Sequence, residues 1–373
     1  MSTGSLRAPF GGKRRKPWGN SVRGLEALLR SWGSSGVLRD VTLQHAEPPK
    51  PADEVPIPSF LAPNVSAALK SRGIERLYRH QAEALQLGRE GRSFVVATPT
   101  ASGKSLCYNL PILDRLSQEE GARALYLFPT KALSRDQEEA LRALLSEADL
   151  GHGAITYDGD TPGDQRRVAR ERGGVVLSNP DMLHASVLPH HASWARFFAN
   201  LRFVVIDELH AYRGVFGSHL SNVIRRLRRI CAFHGSSPTF VLASATIGNP
   251  REHAARIVGE KVALLDKSGA PTGERNVLVY NPPIVNAELG LRGSYLKSAV
   301  RLTVDLIKAE VPTLVFGRSR NSVEVMLKYL RDRLKGQAGF DPNAIHAYRG
   351  GYLPKERRAI EKRLRSGDIR CVV

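Results

Sequence analysis

The chain has 373 residues, 42% of them hydrophobic, and no apolar run approaches the roughly 20 residues that span a bilayer. Its basic N-terminus lacks the apolar core of a secretory signal, which makes the cytoplasm the default compartment, and Cys107, Cys231 and Cys371 form no C-x-x-C pair, which argues against a zinc knuckle or a disulfide framework. With 55 Lys and Arg against 36 Asp and Glu, the formal charge of +19 makes a polyanion the first partner to test, a solvated basic surface being the bland alternative.

The length suggests two domains, each able to bury a core. Residues 1–24 hold six Lys and Arg and no acid, a composition that cannot bury a core. With the short helical pattern GLEALLRSW they are expected to form a basic, mobile arm over residues 1–45. The stretch AEPPKPADEVPIPSFLAPN then reads as a Pro-rich linker over 46–64. From residue 65 to 285, short runs such as SFVVATP, ALYLFPT, AITYDG, GVVLSNP, RFVVIDE and TFVLASAT alternate with helical stretches. Apolar runs of that length joined by crossovers predict an α/β fold whose parallel sheet is covered by helices on both faces. A second α/β unit is expected over residues 286–373, with strands at TLVFGRS, AIHAYRG and DIRCVV.

The stretch ATPTASGKS, residues 97–105, follows an apolar strand and precedes a helix. That context is the one required of a phosphate-binding loop, although Thr98 stands where the G-x-x-x-x-G-K-[ST] template has its first glycine. Thr100, Ala101, Ser102 and Gly103 would wrap the phosphates, Lys104 would reach the β- and γ-phosphates, and the Ser105 hydroxyl would ligate Mg²⁺. The strand RFVVIDELH ends in Asp207 and Glu208. A carboxylate there suits the second Mg²⁺ ligand, and its neighbour can orient or deprotonate the attacking water.

These two elements resemble motif I and the DExH box of superfamily 2 helicases, in which the first loop position is rarely glycine. Ala101 departs from the glycine commoner in that family, though an alanine is expected to allow a tight loop. Other blocks follow in family order. LYRHQAEAL resembles the Q motif, which would make Gln81 the reader of the adenine edge; a solvated helix residue is the alternative. YLFPTKALSRDQ and LSNPDML resemble motifs Ia and Ib, implying backbone contacts to nucleic acid by Thr130, Lys131, Asn179 and Asp181, each of which could instead serve as a loop or helix cap. LASATIGNP resembles motif III, implying that Ser244 and Thr246, with His210 of the DExH box, couple hydrolysis to movement. TLVFGRSR and AYRGGYLPKERRAIEKRL resemble the motif IV region, with Arg320 and Arg349 as backbone contacts.

The resemblance covers roughly residues 73–373 and implies a RecA-like P-loop NTPase domain plus the beginning of a second. The wording is nearest the MrfA/YprA branch, which resembles Lhr and RecQ-like DNA repair helicases. That implies an ATP- and Mg²⁺-dependent DNA helicase acting 3′ to 5′ on single-stranded or 3′-tailed DNA, with a repair nuclease as a potential partner. Motifs V and VI have no counterpart before Val373, so the chain is expected to be an N-terminal portion that binds ATP but hydrolyses it poorly alone. Two other readings stand beside this one: a nucleic-acid-binding module for which ATP is only a conformational ligand, and an RNA helicase, which His210 in place of aspartate disfavours. In HLSNVIRRLRRI, Arg225, Arg226, Arg228 and Arg229 read as a solvated helix face before they read as a DNA stripe. His190 and His191 lack metal-ligand spacing.

Overall fold

A computed structural model describes residues 21–336 and 341–373. The chain divides into two compact units, Pro49–Gly273 and a second that joins residues 21–48 to Glu274–Val373. In chain order, α1 (Ser21–Ser34) and β1 (Val41–Glu47) come first and belong to the second unit. The first unit holds β2 (Glu54–Pro56), α2 (Pro63–Ser71), β3 (Arg76–Tyr78), α3 (Arg79–Arg89), β4 (Phe94–Ala97), α4 (Lys104–Gln118), β5 (Arg123–Leu127), α5 (Lys131–Glu147) and β6 (Gly153–Thr156). It continues with α6 (Gly163–Arg172), β7 (Gly173–Ser178), α7 (Pro180–Met182), α8 (Ala195–Ala199), β8 (Leu201–Ile206), α9 (Gly214–Phe233), β9 (Thr239–Ser244), α10 (Pro250–Val258) and β10 (Ala263–Leu265).

Seven strands form one parallel sheet in the order β10-β4-β9-β8-β5-β7-β6. Alternate residues of each strand enter opposite cores, as a period of two requires. Phe94, Val96, Ala124, Tyr126, Val205 and Val241 pack with helices α2 to α5. Val95, Leu125, Leu127, Val204, Ile206 and Leu242 pack with α8 to α10. After β4 the chain skips two sheet positions to reach β5 and β6, then returns through β7, β8 and β9. Right-handed crossovers place outward helices on one face and returning helices on the other, which explains this partition. The six strands expected from the apolar runs are all present; β10, a short edge strand, was not expected.

The arm and linker differ from expectation. Residues 21–45 are ordered: α1 places buried Leu28 and Trp32 in one core with Leu278, Leu302 and Leu306, and β1 pairs antiparallel with β11 (Arg275–Tyr280). Trp32 Nε1 donates to Asp305 Oδ2 at 3.1 Å. The physical reason is that Leu28 and Trp32 make one apolar helix face, which is covered by nearby Val37 and, for the most part, by residues far along the chain. Residues 1–20 of the expected arm lie outside the described residues. The Pro-rich stretch is likewise built in: β2 pairs with β3, Asp53 binds Arg79 through two hydrogen bonds of 2.7 and 2.9 Å, and Leu61 and Ala62 are buried. Extended proline backbone suits such an edge strand.

The second unit continues with β12 (Ile284–Asn286), β13 (Leu291–Arg292), α11 (Tyr295–Lys308), β14 (Thr313–Leu314), α12 (Arg320–Leu334), β15 (Ile345–His346), α13 (Pro354–Ser366) and β16 (Cys371–Val372). Its parallel strands run β14-β16-β15, with Val300, Met326, Leu330 and Ile345 in the core. Among the described residues no helix is long and apolar enough to cross a membrane.

Candidate functional site

In a parallel sheet every C-terminal strand end lies at one edge, so the loops after β4, β9 and β8 are neighbours there. The loop after β4 is closed by a hydrogen bond between buried Thr98 Oγ1 and Ser102 Oγ, 2.7 Å apart. Thr98 thus has a structural task that glycine could not perform. Ala101 and Gly103 adopt left-handed φ values of 63° and 79°. For alanine this costs on the order of 1 kcal/mol, so the tight loop forms with strain at the position where the family commonly has glycine. At Gly103 a Cβ would also lie 2.6 Å from Gln81 Nε2. Lys104 opens α4 and donates through Nζ to the Thr98 and Pro99 carbonyls at 3.0 and 2.9 Å. Burial lowers its pKa, while Glu208 and Asp207 act in the opposite direction.

Asp207, 7% exposed, follows β8. Its Oδ2 accepts from Tyr108 Oη at 3.2 Å and its Oδ1 from the Glu208 backbone N–H at 2.8 Å. The Tyr108 hydroxyl is also 3.2 Å from Ser105 Oγ and 3.3 Å from Gln137 Oε1. Ser105 and Asp207 therefore share one hydroxyl. Burial pushes the Asp207 carboxyl up to about 6, with Glu208 adding to it against the hydrogen bonds from Glu208 and Tyr108 and the charge of Lys104. A hydroxyl and a buried carboxylate, both hard oxygen donors and short of positive charge, fit Mg²⁺.

Glu208 takes φ 53°, a left-handed turn that redirects the chain after the strand. Its Oε2 lies 3.2 Å from His210 Nε2, and His210 Nδ1 accepts from the Ala245 backbone N–H at 3.2 Å. An Nδ1 that accepts leaves the proton on Nε2, so the imidazole donates to Glu208. This chain of bonds joins the loop after β8 to the loop after β9 through Ala245. Ser244 Oγ is buried without a hydrogen-bond partner among the described residues, and Thr246 is exposed.

Gln81 is buried. Its Oε1 accepts from the Tyr78 N–H at 3.0 Å, and its Nε2 donates to the Gly103 carbonyl at 3.1 Å. The solvated alternative is therefore excluded, and the side chain braces the loop. His80 does the same: Nδ1 accepts from the Gly269 N–H at 3.1 Å, so Nε2 donates to the Ser102 carbonyl at 3.1 Å. Burial lowers the His80 pKa, in keeping with this neutral form.

Residues 78–253, the segment that carries these loops, match the model of the DEAD/DEAH box helicases. The chain carries a DEAD/DEAH box helicase domain. It is similar to the ATP-dependent helicase YprA of Bacillus subtilis, 49% identical over 329 residues that make up 88% of this chain and 44% of that protein. ATP-dependent helicase HRQ1 of Saccharomyces cerevisiae is 37% identical over 319 residues, 84% of this chain and 29% of that protein. The crystal structure of the DUF1998 helicase MrfA bound to DNA and AMPPNP superposes with a TM-score of 0.88 at 47% identity, covering 93% of this chain and 48% of that one. The chain thus spans less than half the length of each.

Within the helicase domain, the residues expected to contact nucleic acid sit at the ends of β5 and β7, adjacent strands on the other side of β8 from the phosphate loop. Three of the four are already used. Thr130 caps α5 by accepting from the Leu133 N–H at 3.4 Å, and Asn179 caps α7 by accepting from the Met182 N–H at 2.9 Å. Lys131 pairs with Asp160 at 2.9 Å, and Asp181 is exposed in the first turn of α7. In the second unit Arg320 is exposed at the start of α12, and Arg349 pairs with Glu324 at 2.6 Å. Ion pairs this exposed contribute little, so Lys131 and Arg349 can exchange partners at small cost. On α9, Val223, Ile224 and Leu227 are buried. Arg225 holds Asn222, Arg226 holds His184 and Arg228 holds Glu260 and the Val258 carbonyl, the side contacts of a solvated face. Among the described residues no cluster of three metal-binding side chains occurs. Sequence reading missed Tyr108 and His80, and, although it placed Ala245 with Ser244 and Thr246 in motif III, it missed the part played by the Ala245 backbone. Tyr108 lies one helical turn beyond Ser105 on the same face, which was a usable signal; the backbone of Ala245 has none.

Proposed function

We propose that the chain is part of an ATP-dependent DNA helicase, with ATP and Mg²⁺ at the loops after β4 and β8. The observation that carries the proposal is the meeting of Ser105 and Asp207 at the Tyr108 hydroxyl, beside a lysine held at the mouth of a left-handed loop. Lys104 exchanges two loop carbonyls for phosphate oxygens, a stronger charge-assisted partner. Ser105 and Asp207 would hold the Mg²⁺. When bound, that ion neutralises charge on the β- and γ-phosphates. Glu208 orients and deprotonates the attacking water. The His210 Nε2–H fixes its carboxylate and ties its position to Ala245, so that a change at Glu208 reaches the loop after β9. For Gln81 to meet the base, its amide exchanges the Tyr78 N–H and the Gly103 carbonyl, which it holds otherwise, for the adenine edge.

DNA as the polymer is supported by the MrfA complex and by the surplus of basic residues; the loops after β5 and β7 are the proposed contacts for one strand, with Arg320 and Arg349 in the second unit. Movement 3′ to 5′, a role in repair with a nuclease partner, and a cytoplasmic location are parts of the proposal that rest on motif wording and composition. The test is equilibrium binding of a fluorescent, non-hydrolysable ATP analogue with Mg²⁺ to the chain and to Lys104→Ala, where loss of binding is expected. Phosphate release with and without single-stranded DNA, and competition with an RNA strand of the same sequence, then separate a DNA motor from the other readings. Unchanged analogue binding in Lys104→Ala would sink the assignment.

A further inference from the structure

The sheet edge opposite the phosphate loop carries a second set of features that nothing above uses. β5, β6 and β7 all begin there, a strand's length of about 15 Å or more from the strand ends that hold Asp207 and Thr130. Arg123, first residue of β5, is 8% exposed, yet its guanidinium has one hydrogen bond, from Nη1 to the carbonyl of neighbouring Ala122 at 3.1 Å. No carboxylate among the described residues pairs with it. The charge that acts on it is another cation, Arg196, which together with burial, the larger cause, lowers its pKa.

Arg123 and Arg196 line one cavity of about 570 Å³ together with Arg172 and His152. His152 Nε2 donates to the Glu120 carbonyl at 2.9 Å, and its Nδ1 is buried with no partner among the described residues. Two carboxylates, Glu120 and Glu171, also line the cavity; Glu171 pairs with Arg167 at 2.9 Å in an exposed ion pair, and neither carboxylate pairs with Arg123. The Arg123 donors that no protein group accepts face this cavity, and an oxyanion suits them, since the guanidinium fork matches phosphate oxygens two at a time. Three guanidinium groups against two carboxylates leave the cavity lining net positive.

We infer that this cavity is a second phosphate-binding site, at the edge of the sheet remote from the phosphate loop, in which Arg123, Arg172 and Arg196 hold a phosphate or diphosphate group. The group is either a free phosphoanion or a backbone phosphate of bound nucleic acid. Arg123 supplies the buried anchor, and Arg172 and Arg196, both exposed, admit the ligand.

The experiment uses the full 373-residue chain carrying Lys104→Ala, which disables the phosphate loop. Inorganic pyrophosphate is titrated calorimetrically at low salt, and the same protein is titrated with a short single-stranded DNA. Saturable pyrophosphate binding that weakens at least about tenfold in Arg172→Ala/Arg196→Ala, the loss expected for a charge-assisted bond, supports a site for a free phosphoanion. DNA affinity that falls in the double variant with a shallower salt dependence, without pyrophosphate binding, supports the backbone as the source. Arg123→Met gives an independent reading by thermal unfolding: pyrophosphate should raise the melting temperature of the parent and leave that of this variant unchanged. If the variant fails to fold, the surface pair decides. Equal binding of both ligands by the parent and the double variant overturns the site.

Discussion

Asp207 offers the sharpest test of the nucleotide site, because its environment opposes its own charge. The carboxyl rises from an ordinary 3.8 to about 6, chiefly through burial. A shift of about two units corresponds to about 3 kcal/mol between the protonated and ionised forms. The folded protein therefore holds the proton more tightly than the unfolded chain does, and stability falls as pH rises from about 4 to about 6. Above that window the full cost is present; below it the cost vanishes. Asp207→Asn keeps the size and the acceptor for the Glu208 N–H while removing the charge. Urea denaturation should find the variant more stable than the parent by about 3 kcal/mol at pH 8 and by nothing at pH 4, a difference that depends on the unfolded carboxyl titrating normally. Mg²⁺ should act in the opposite sense. At ten times its Kd it adds about 1.4 kcal/mol to the parent and nothing to the variant, and chelation removes the gain. A difference between the two proteins that is flat across this pH range, or equal stabilisation of both by Mg²⁺, would refute the view that Asp207 is a carboxylate awaiting a cation.

Gly103→Ala places a Cβ 2.6 Å from Gln81 Nε2 at φ 79°, and should lower the unfolding free energy by about 1–2 kcal/mol and weaken ATP-analogue binding together. His210→Ala breaks the link between Glu208 and the Ala245 N–H; the expectation is at least a tenfold loss, about 1.4 kcal/mol, in DNA-stimulated phosphate release with little change in analogue affinity, and a parallel loss of both would assign His210 to binding. Leu28→Ala should destabilise the second unit by about 2–4 kcal/mol, measured by chemical denaturation, whereas a mobile arm would show no effect.

How much was legible in the sequence follows from the range of the interactions involved. The loop after β4, the acidic strand end and six of the seven strands of the main sheet are local patterns, in which a few adjacent residues decide both geometry and chemistry. The sequence singles out Gln81 through its motif, but not its buried brace on Gly103, since the two meet only when α3 packs beside the loop. The same holds for α1. Its helical period was readable, but its apolar face is closed off only when Leu278 and residues near it fold against it.

Local sequence dictates the inventory: a tight loop ending in lysine and serine, a pair of carboxylates after an apolar run, and an excess of arginine. What the tertiary structure alone decided is adjacency. The chain leaves β4, skips two sheet positions and fills them on its return, which sets Asp207 beside Ser105 at one edge and gathers Arg123, Arg172 and Arg196 at the other. Strand order is a long-range property, set by which apolar faces pack together, and no window of sequence contains it.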